Sequence, residues 1–446
     1  MFTFDRDPFP FKDLGRQPTR EQLDDPYEFN SLSPTFCVLP FSHLATHTDG
    51  SAILCCVAKT DSGLNLNDQS LKDVWNSNYV KSARLKMLKG ESVAACSHCY
   101  AEEKNGCRSH RVTENRVWKD RFGRDFMLDR VRKVEKDGAL AEDIVAIDLR
   151  LGNTCNLQCV MCRPQDSSRW TALAKKLGET AEDPELRGEW AHKSKINQSR
   201  FEWYKDPEFW NDLESMLPSM REIIVGGGEP MLLEEHRRLI QACVDSGASS
   251  HIQIRYHTNG TLLDTSLFPL WEKFKLVEVF VSLDCYGEKN SYMRYPANWE
   301  SIDRNLKLID RESPDTVRSM LLCSVHLLNM FYLDEYGAWI RDQNFKKVTH
   351  GFNGYYHPGV VHYPPYLSIQ NYPANVKEII TGKLLSFEET SSKKSNKIQG
   401  LVNLMNEVDH SARLPRAKEY IRRLDAERGT HFDRVFPELN ELLGFV

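Results

Sequence analysis

Three cysteines, Cys155, Cys159 and Cys162, lie close together in the segment LGNTCNLQCVMC. This C-x3-C-x2-C spacing lets three thiolates bind three irons of a four-iron, four-sulfur cluster and leaves the fourth iron free for another ligand. With 12 cysteines in 446 residues, chance alone gives roughly 0.01 such triplets. The segment follows a strand-like run and precedes a helical pattern, so we predict a loop at the C-terminal end of a strand, where β/α barrels carry their chemistry.

A glycine-rich turn lies further along the chain, in REIIVGGGEP. Glycines let a backbone approach a ligand closely, and a carboxylate suits an ammonium group. Taken alone, three glycines are also typical of an ordinary strand-to-helix turn. Together with the cysteine triplet, however, Gly227, Gly228, Glu229 and Pro230 resemble the GGEP motif of the radical S-adenosylmethionine (radical SAM) superfamily.

The resemblance implies that the open iron chelates the amine and carboxylate of S-adenosylmethionine (SAM), and that the GGEP backbone and Glu229 receive the amine. HTNGT and VSLDC resemble family segments at the ends of the third and fourth strands. An ordinary turn at Asn259-Gly260 and an exposed helix arginine at Arg294 are the alternatives. The further cofactor contacts that the resemblance implies are Met161 through its backbone, Thr258, Asn259, Ser282, Asp284, Arg294 for the carboxylate, and Asn329.

Strand-like and helix-like stretches alternate after residue 144, which predicts a parallel sheet with right-handed crossovers. Six β segments match the partial (β/α)6 TIM-like barrel of the superfamily, an α/β fold. We expect an auxiliary-cluster domain with a linker helix at 1–140, the core at 141–352, and a loop with a helical region at 353–446. The predicted strands are 144–151, 222–225, 252–257, 277–283, 317–327 and 346–352.

A second cysteine group precedes the core. Cys37, Cys55, Cys96 and Cys99 resemble the pattern of SPASM and twitch auxiliary domains, which here stands before the core instead of after it. A hairpin at HTDGS brings Cys37 and Cys55 together, and C-x2-C supplies two further thiolates. These four ligands close one auxiliary 4Fe-4S cluster or, alternatively, one structural zinc site. Cys56 and Cys107 remain spare, and either is a candidate substitute ligand.

Several other segments have two interpretations. The isolated Cys243, Cys285 and Cys323 are predicted to be core residues. Residues 108–133 are predicted to form a linker helix with an aromatic stripe, or a basic groove for an acidic substrate segment. Residues 181–197 lack periodicity and are predicted to be an inserted surface loop. The segment YYHPGVVHYPPY either holds the chain at the surface or lines the substrate pocket through Tyr355, Tyr356, His357 or His362.

Composition indicates an ordinary globular enzyme, with 41% hydrophobic and 27% charged residues. No apolar run reaches the length of a membrane span and the start lacks signal-peptide features, so we expect a cytosolic protein without a membrane partner. The net charge of −5 gives no reason to expect a nucleic-acid partner. The resemblance implies an oxidoreductase-like radical SAM enzyme that abstracts hydrogen from a peptide and receives electrons from flavodoxin or ferredoxin. The alternatives are a small-molecule substrate, such as a nucleotide or cyclic alcohol, and a non-catalytic iron–sulfur or zinc protein.

Overall fold

The computed structural model describes residues 32–59, 62–104, 108–350, 359–389 and 396–445. The strands are β1 (His43–Thr46), β2 (Ala52–Ile53), β3 (Ala146–Arg150), β4 (Glu222–Gly226), β5 (Gln253–Thr258), β6 (Leu276–Ser282), β7 (Val317–Leu322), β8 (Ser324–Val325), β9 (Val348–His350) and β10 (Gly359–Val360). Short 3-10 turns lie at Ala94–Cys96, Gln198–Lys205, Leu217–Ser219, Pro230–Leu232, Ala248–His251, Thr265–Leu267, Met330–Tyr332, Pro365–Leu367, Ile369–Asn371 and Ser411–Arg413.

The α-helices up to the end of the sheet are α1 (Leu39–Ser42), α2 (Leu71–Trp75), α3 (Asn78–Leu88), α4 (Ser97–Lys104), α5 (His110–Phe122), α6 (Arg124–Arg132), α7 (Trp170–Thr180), α8 (Pro184–Lys193), α9 (Pro207–Met216), α10 (Glu234–Asp245), α11 (Phe268–Trp271), α12 (Gly287–Met293), α13 (Trp299–Glu312) and α14 (Leu333–Asp342). The helical C-terminal region contains α15 (Ala374–Glu389), α16 (Asn396–Glu407), α17 (Leu414–Arg428), α18 (Phe432–Val435) and α19 (Pro437–Leu443).

The main sheet has the order β2-β1-β3-β4-β5-β6-β7-β9. All neighbouring strands from β1 to β9 are parallel, and β2 pairs antiparallel with β1. Strands β3 to β7 and β9 confirm the predicted partial barrel of six strands. The β1–β2 hairpin, which was expected around HTDGS, extends this sheet from the β3 edge. The cysteine-rich N-terminal segment is therefore joined to the core by backbone pairing.

Successive side chains of each strand point to opposite faces of the sheet, so that one face packs on helices and the other faces the barrel interior. Ile254 and Tyr256 of β5 are buried toward the helices, and α10 packs there through buried residues at i, i+3, i+4 and i+7. Arg255 of β5 lies on the interior face, in register with Asp148 of β3 through Ile224 and with Glu278 of β6. The interior of the barrel is therefore polar near its floor.

Helix α5 of the linker contacts the N-terminal ends of β4 and β5 through Arg121. Arg121 donates to Glu222 at 2.6 Å and to Gln253 at 3.0 Å. Burial alone raises the pKa of Glu222, but the cations of Arg121 and Arg255 outweigh burial and hold this pKa at about 2. The predicted linker helix is interrupted at Gly123, whose φ of +84° separates α5 from α6. The aromatic stripe of Trp118, Phe122 and Phe126 packs ring against ring on the core.

Three sequence-based predictions differ from the structure in detail. Residues 181–197 are not an irregular loop, because they contain α8, with Asp183 as N-cap and Trp190 fully buried. The predicted strand 317–327 is divided into β7 and β8 at Cys323. Of the predicted strand 346–352, β9 occupies Val348–His350, and the last two residues lie outside the described residues. Within the described residues, no helix is long and apolar enough to cross a bilayer.

Candidate cluster and cofactor site

The cysteine triplet lies on the loop between β3 and α7, at the C-terminal edge of the sheet. Cys159 is buried, whereas Cys155 and Cys162 are partly accessible. Cys159 and Cys162 are hydrogen-bonded to each other, which lowers the pKa of Cys159, and Arg294 lowers it further against the effect of burial. The structure thus brings the three thiols to one loop, as the sequence predicts, and their donor chemistry fits an iron–sulfur cluster.

The glycine-rich turn packs directly on the loop that carries Cys155, Cys159 and Cys162, which is called the cluster loop below. Gly228 donates its N–H to the carbonyl of Gly152 at 2.9 Å, and Glu229 donates to the carbonyl of Thr154 at 2.8 Å. A Cβ on Gly228 would lie 2.1 Å from the Thr154 oxygen, and Gly227 has a φ of +128°. These glycines are therefore required by the close approach of two protein backbones. Both remain partly accessible, whereas Glu229 and Pro230 are buried.

The Glu229 carboxylate accepts hydrogen bonds from three protein groups. Thr258 Oγ1 donates at 2.7 Å and the Asn259 N–H donates at 2.7 Å. The Met231 N–H donates at 3.2 Å, and none of the Glu229 side chain is exposed. Burial raises the pKa of this carboxyl to about 7, although the three donors oppose the shift. Glu229 therefore ties the glycine-rich turn to the end of β5.

Asn259 continues this connection to the cluster loop. Its Nδ2 donates to Asn156 Oδ1 at 2.8 Å and lies 4.0 Å from Cys155 Sγ. Its Oδ1 accepts from the backbone N–H of Thr261 at 2.9 Å. Asn156 in turn donates to Thr261 Oγ1 at 2.8 Å. The side chain of Asn259 therefore stabilises two adjoining loops and has more than the role of an ordinary Asn-Gly turn.

Arg294 is buried and paired with Asp284. The Arg294 Nε atom lies 2.8 Å from Asp284 Oδ2, and its Nη1 lies 3.9 Å from Cys159 Sγ. Asp284 Oδ1 also accepts from the Ser324 N–H at 2.8 Å. The alternative of an exposed helix arginine is therefore wrong, because the guanidinium neutralises a fully buried carboxylate beside the cluster loop.

Three further predicted contacts occupy different environments. Asn329 is buried and donates to the carbonyls of Asp284 and Ser324, at 3.1 and 3.0 Å, so its amide nitrogen is engaged by the protein. Ser282 ends β6 and is partly accessible. Met161, between Cys159 and Cys162, is partly buried against the hydrophobic core. Ser282 and Met161 therefore remain accessible at the C-terminal edge of the sheet.

The second cysteine group surrounds a cavity beside β1 and β2. Cys37, Cys55, Cys96 and Cys99 all line it, together with His98, His110 and Arg111. Burial raises the pKa of Cys55 to about 12 and that of Cys96 to about 11. Four convergent thiols from three segments of the chain fit either a cluster or a zinc ion by donor chemistry. In the part of the chain that the structure describes, no three potential ligands are as close as those of a single metal ion.

The described cysteines outside these two groups are either exposed or buried in the core. Cys56 is exposed, does not line the cavity, and has its Sγ 3.7 Å from His110 Nε2. Cys107 lies outside the described residues, as do Tyr355, Tyr356 and His357. Cys243, Cys285 and Cys323 are buried, which confirms their prediction as core residues.

Sequence reasoning missed a set of side chains that hold the cluster loop. Each carbonyl from residue 157 to residue 160 accepts a side-chain hydrogen bond; the donors, in order, are Ser167, Arg428, Trp170 and Tyr420. Two of these donors belong to α17, more than 250 residues beyond the loop in sequence. The sequence predicted a helical region at 353–446, but nothing in it indicates where α17 docks.

Two family models match the parts of the chain that contain these cysteines. The model for the radical SAM superfamily matches residues 149–325. The model for SPASM, an iron–sulfur cluster-binding domain, matches residues 37–100. No curated protein matches the chain.

Similar solved structures include anSMEcpe with bound AdoMet, at 15% identity and a TM-score of 0.34, covering 55% of this chain and 59% of that one. TYW1 with a lysine-pyruvate adduct bound has 14% identity and a TM-score of 0.30, covering 56% and 74%. Streptococcus suis SuiB bound to precursor peptide SuiA has 14% identity and a TM-score of 0.33, covering 81% and 68%. This chain thus spans about three fifths of the length of anSMEcpe. The two family matches, in the order in which they occur, show that this chain belongs to the radical SAM superfamily of enzymes and carries a SPASM iron–sulfur domain ahead of its core.

Proposed function

We propose that this protein cleaves SAM reductively and uses the resulting radical to abstract hydrogen from a peptide, in a net oxidation. The observation that carries this proposal is the junction of the cysteine loop with the GGEP and TNG segments at the C-terminal edge of the sheet. Cys155, Cys159 and Cys162 would hold the core cluster, which would supply one electron to the sulfonium of SAM for its cleavage to methionine and a 5′-deoxyadenosyl radical. The protein's own residues bind and orient the reactants.

We assign the core ligands to Cys155, Cys159 and Cys162. The accessible backbone of Gly227 and Gly228 is suited to the amine of the cofactor, while the buried Glu229 holds that backbone in place. The other cofactor-site residues that we assign are Pro230, Met161, Thr258, Asn259, Ser282, Asp284, Arg294 and Asn329. Of these, Asp284, Arg294 and Asn329 contribute by fixing the loop ends, because their polar groups are engaged by the protein.

The interior face of the barrel supplies the substrate space. Arg150, His257, Ser282 and Met320 lie on this face and are partly accessible. Burial, Arg150 and Arg255 lower the pKa of His257 to about 3, so this imidazole is neutral at physiological pH. The four-cysteine cavity adjoins β1 and β2 of the same sheet, and we assign it to one auxiliary 4Fe-4S cluster that accepts an electron. A peptide is favoured as substrate because proteins with SPASM domains commonly modify peptides.

The same observations support three regions of the chain. We assign residues 1–140 to the auxiliary domain and linker, 141–352 to the core, and 353–446 to the C-terminal region. The two family matches fall within the first and second of these regions.

Cofactor cleavage tests the central proposal. Anaerobically reconstituted protein that has been reduced with dithionite and given SAM is expected to form 5′-deoxyadenosine, measured by liquid chromatography and mass spectrometry. The triple change of Cys155, Cys159 and Cys162 to Ala should abolish this product, whereas Cys243→Ala, at a buried core cysteine, should not. Persistent cleavage in the triple variant, or none in the wild type, contradicts the proposal.

A further inference from the structure

The cluster loop is irregular, yet Gln158 and Val160 engage other parts of the protein through both their N–H and their carbonyl groups. Gln158 donates its N–H to the Tyr295 carbonyl at 2.5 Å, and Val160 donates to the Met293 carbonyl at 2.8 Å. On the opposite side, the carbonyl of Gln158 accepts from Arg428 Nη2 at 2.5 Å and that of Val160 accepts from Tyr420 Oη at 2.8 Å. The two residues that flank Cys159 are therefore held between the end of α12 and the C-terminal helix α17.

Helix α17 is itself firmly attached beside the loop. Tyr420 is fully buried and stacks on Trp170 and Trp190, with ring centroids 6.4 and 5.9 Å apart. Arg416 pairs with Asp183 at 2.9 Å, and Glu427 pairs with Lys176 at 2.6 Å. These contacts attach α17 to α7 and α8, so the positions of Tyr420 and Arg428 are determined by packing.

Arg428 also places a positive charge near the cluster ligands. Its guanidinium lies 5.4 Å from the Trp170 ring and 5.0 Å from the Tyr295 ring, and its Nε donates to Gln158 Oε1 at 3.2 Å. The carbonyl to which Arg428 donates belongs to Gln158, the residue next to Cys159. Because reduction adds negative charge to a cluster, a cation held in this partly buried position favours the reduced form.

We propose that helix α17 belongs to the cluster site. Tyr420 fixes the cluster loop in position, and Arg428 both fixes this loop and raises the reduction potential of the core cluster. Both are positioning residues, since they act through the loop and through its charge environment. Helix α17 lies outside both family matches, which end at residues 100 and 325. The inference rests on the proposed core cluster and adds the C-terminal region to that site.

Single substitutions in the full-length, cluster-loaded protein separate the two effects. Arg428→Gln removes the charge, whereas Arg428→Lys keeps the charge but loses the paired contacts with Gln158. Tyr420→Phe removes one hydroxyl and keeps the ring stack. Arg422→Gln is the control on the same helix because Arg422 is exposed and pairs with Glu182, and Tyr366→Phe is the control in the same aromatic cluster.

Two measurements give the expected results. The core cluster is identified by the change in its EPR spectrum when SAM is added. Its midpoint potential should become more negative in Arg428→Gln. In Arg428→Lys and Tyr420→Phe this potential should stay near the wild-type value. Iron release to a chelator should be roughly 2- to 13-fold faster in Arg428→Lys and Tyr420→Phe, which is the range for the loss of one net hydrogen bond.

The controls should match the wild type in both measurements. If Arg428→Gln has the same potential as Arg422→Gln, or if Tyr420→Phe retains iron as well as Tyr366→Phe, the inference is overturned. If circular dichroism shows that Arg428→Gln does not fold, Arg428→Met replaces Arg428→Gln in the measurement of the midpoint potential. Iron release from Arg428→Lys and Tyr420→Phe still tests whether these residues fix the loop. Absence of iron at the triplet in the wild type refutes the proposed function itself, which distinguishes the two failures.

Discussion

Glu229 joins the glycine-rich turn to the end of β5, so its replacement by glutamine is expected to loosen that junction. The carboxylate accepts from three donors, and the Gln amide group can accept at only one of the two oxygen positions. One buried N–H, that of Asn259 or Met231, is then left without its acceptor. Leaving a buried donor unsatisfied costs about 1–3 kcal/mol, which corresponds to roughly 5- to 150-fold in an opening equilibrium.

Hydrogen–deuterium exchange of the peptides that contain Met231 and Asn259 measures this opening directly. At pH 8 we expect the amide of Asn259 or that of Met231 to exchange roughly 5- to 150-fold faster in Glu229→Gln than in the wild type. Glu234→Gln, at an exposed position in the following helix, is the matched control and should change nothing. Equal exchange at both the Asn259 and the Met231 amides in wild type and Glu229→Gln would refute the argument that Glu229 holds the loop.

The same carboxyl predicts a pH dependence of stability. Burial raises the pKa of Glu229 from 4.5 to about 7 in the folded protein, so the folded state binds more protons than the unfolded state between these values. The stabilisation is complete below pH 4.5 and is lost as the pH rises through 7. Between pH 6 and pH 8.5 the wild type should lose on the order of 1 kcal/mol of unfolding free energy relative to Glu229→Gln, measured by urea unfolding. Parallel pH profiles for the two proteins would show that this carboxyl does not titrate in the folded state.

Three other predictions concern the cysteines and the glycine-rich turn. The wild type should contain about eight irons per chain, and Cys37→Ala with Cys99→Ala should reduce the count to about four while SAM cleavage persists; four irons with one zinc would instead show a structural auxiliary site. The triple alanine variant of Cys155, Cys159 and Cys162 should lose cleavage but keep the auxiliary cluster's absorbance, and loss of all absorbance would contradict separate sites. Gly228→Ala should strongly destabilise the protein because its Cβ would meet the Thr154 oxygen at 2.1 Å. Gly188→Ala is the control, because Gly188 has open space around it, and this change should stabilise α8 by about 0.5–1 kcal/mol. A similar melting temperature for both variants would refute the close approach of the Gly228 backbone to Thr154.

Local patterns in the sequence predicted most of the fold. Alternating strand and helix patterns predicted the six parallel strands of the core, because side-chain periodicity within one element decides which face it buries. The cysteine spacing predicted one loop with three thiols, since the ligands lie within eight residues of each other. Residues 181–197 were wrongly predicted as a loop, because α8 depends on the burial of Trp190 against α7 and α17 more than on its own periodicity.

Contacts between distant parts of the chain could not be predicted from such patterns. The sequence suggested that Arg294 meets a cofactor carboxylate, but only the tertiary structure shows its pairing with Asp284 and its approach to Cys159. It likewise places Glu229 beneath the glycine turn, where both carboxylate oxygens accept from protein donors.

The amino-acid sequence by itself determined the loop with three cysteines, the glycine-rich turn and the alternation of core strands and helices, all of which depend on residues close together in the chain. The tertiary structure decided that the N-terminal hairpin extends the core sheet and that Tyr420 and Arg428 hold the cluster loop. Partners separated by about 100 to 270 residues carry no mutual signal in a single sequence. Their pairing is set by which buried carbonyls and charges remain to be satisfied once the helices have packed.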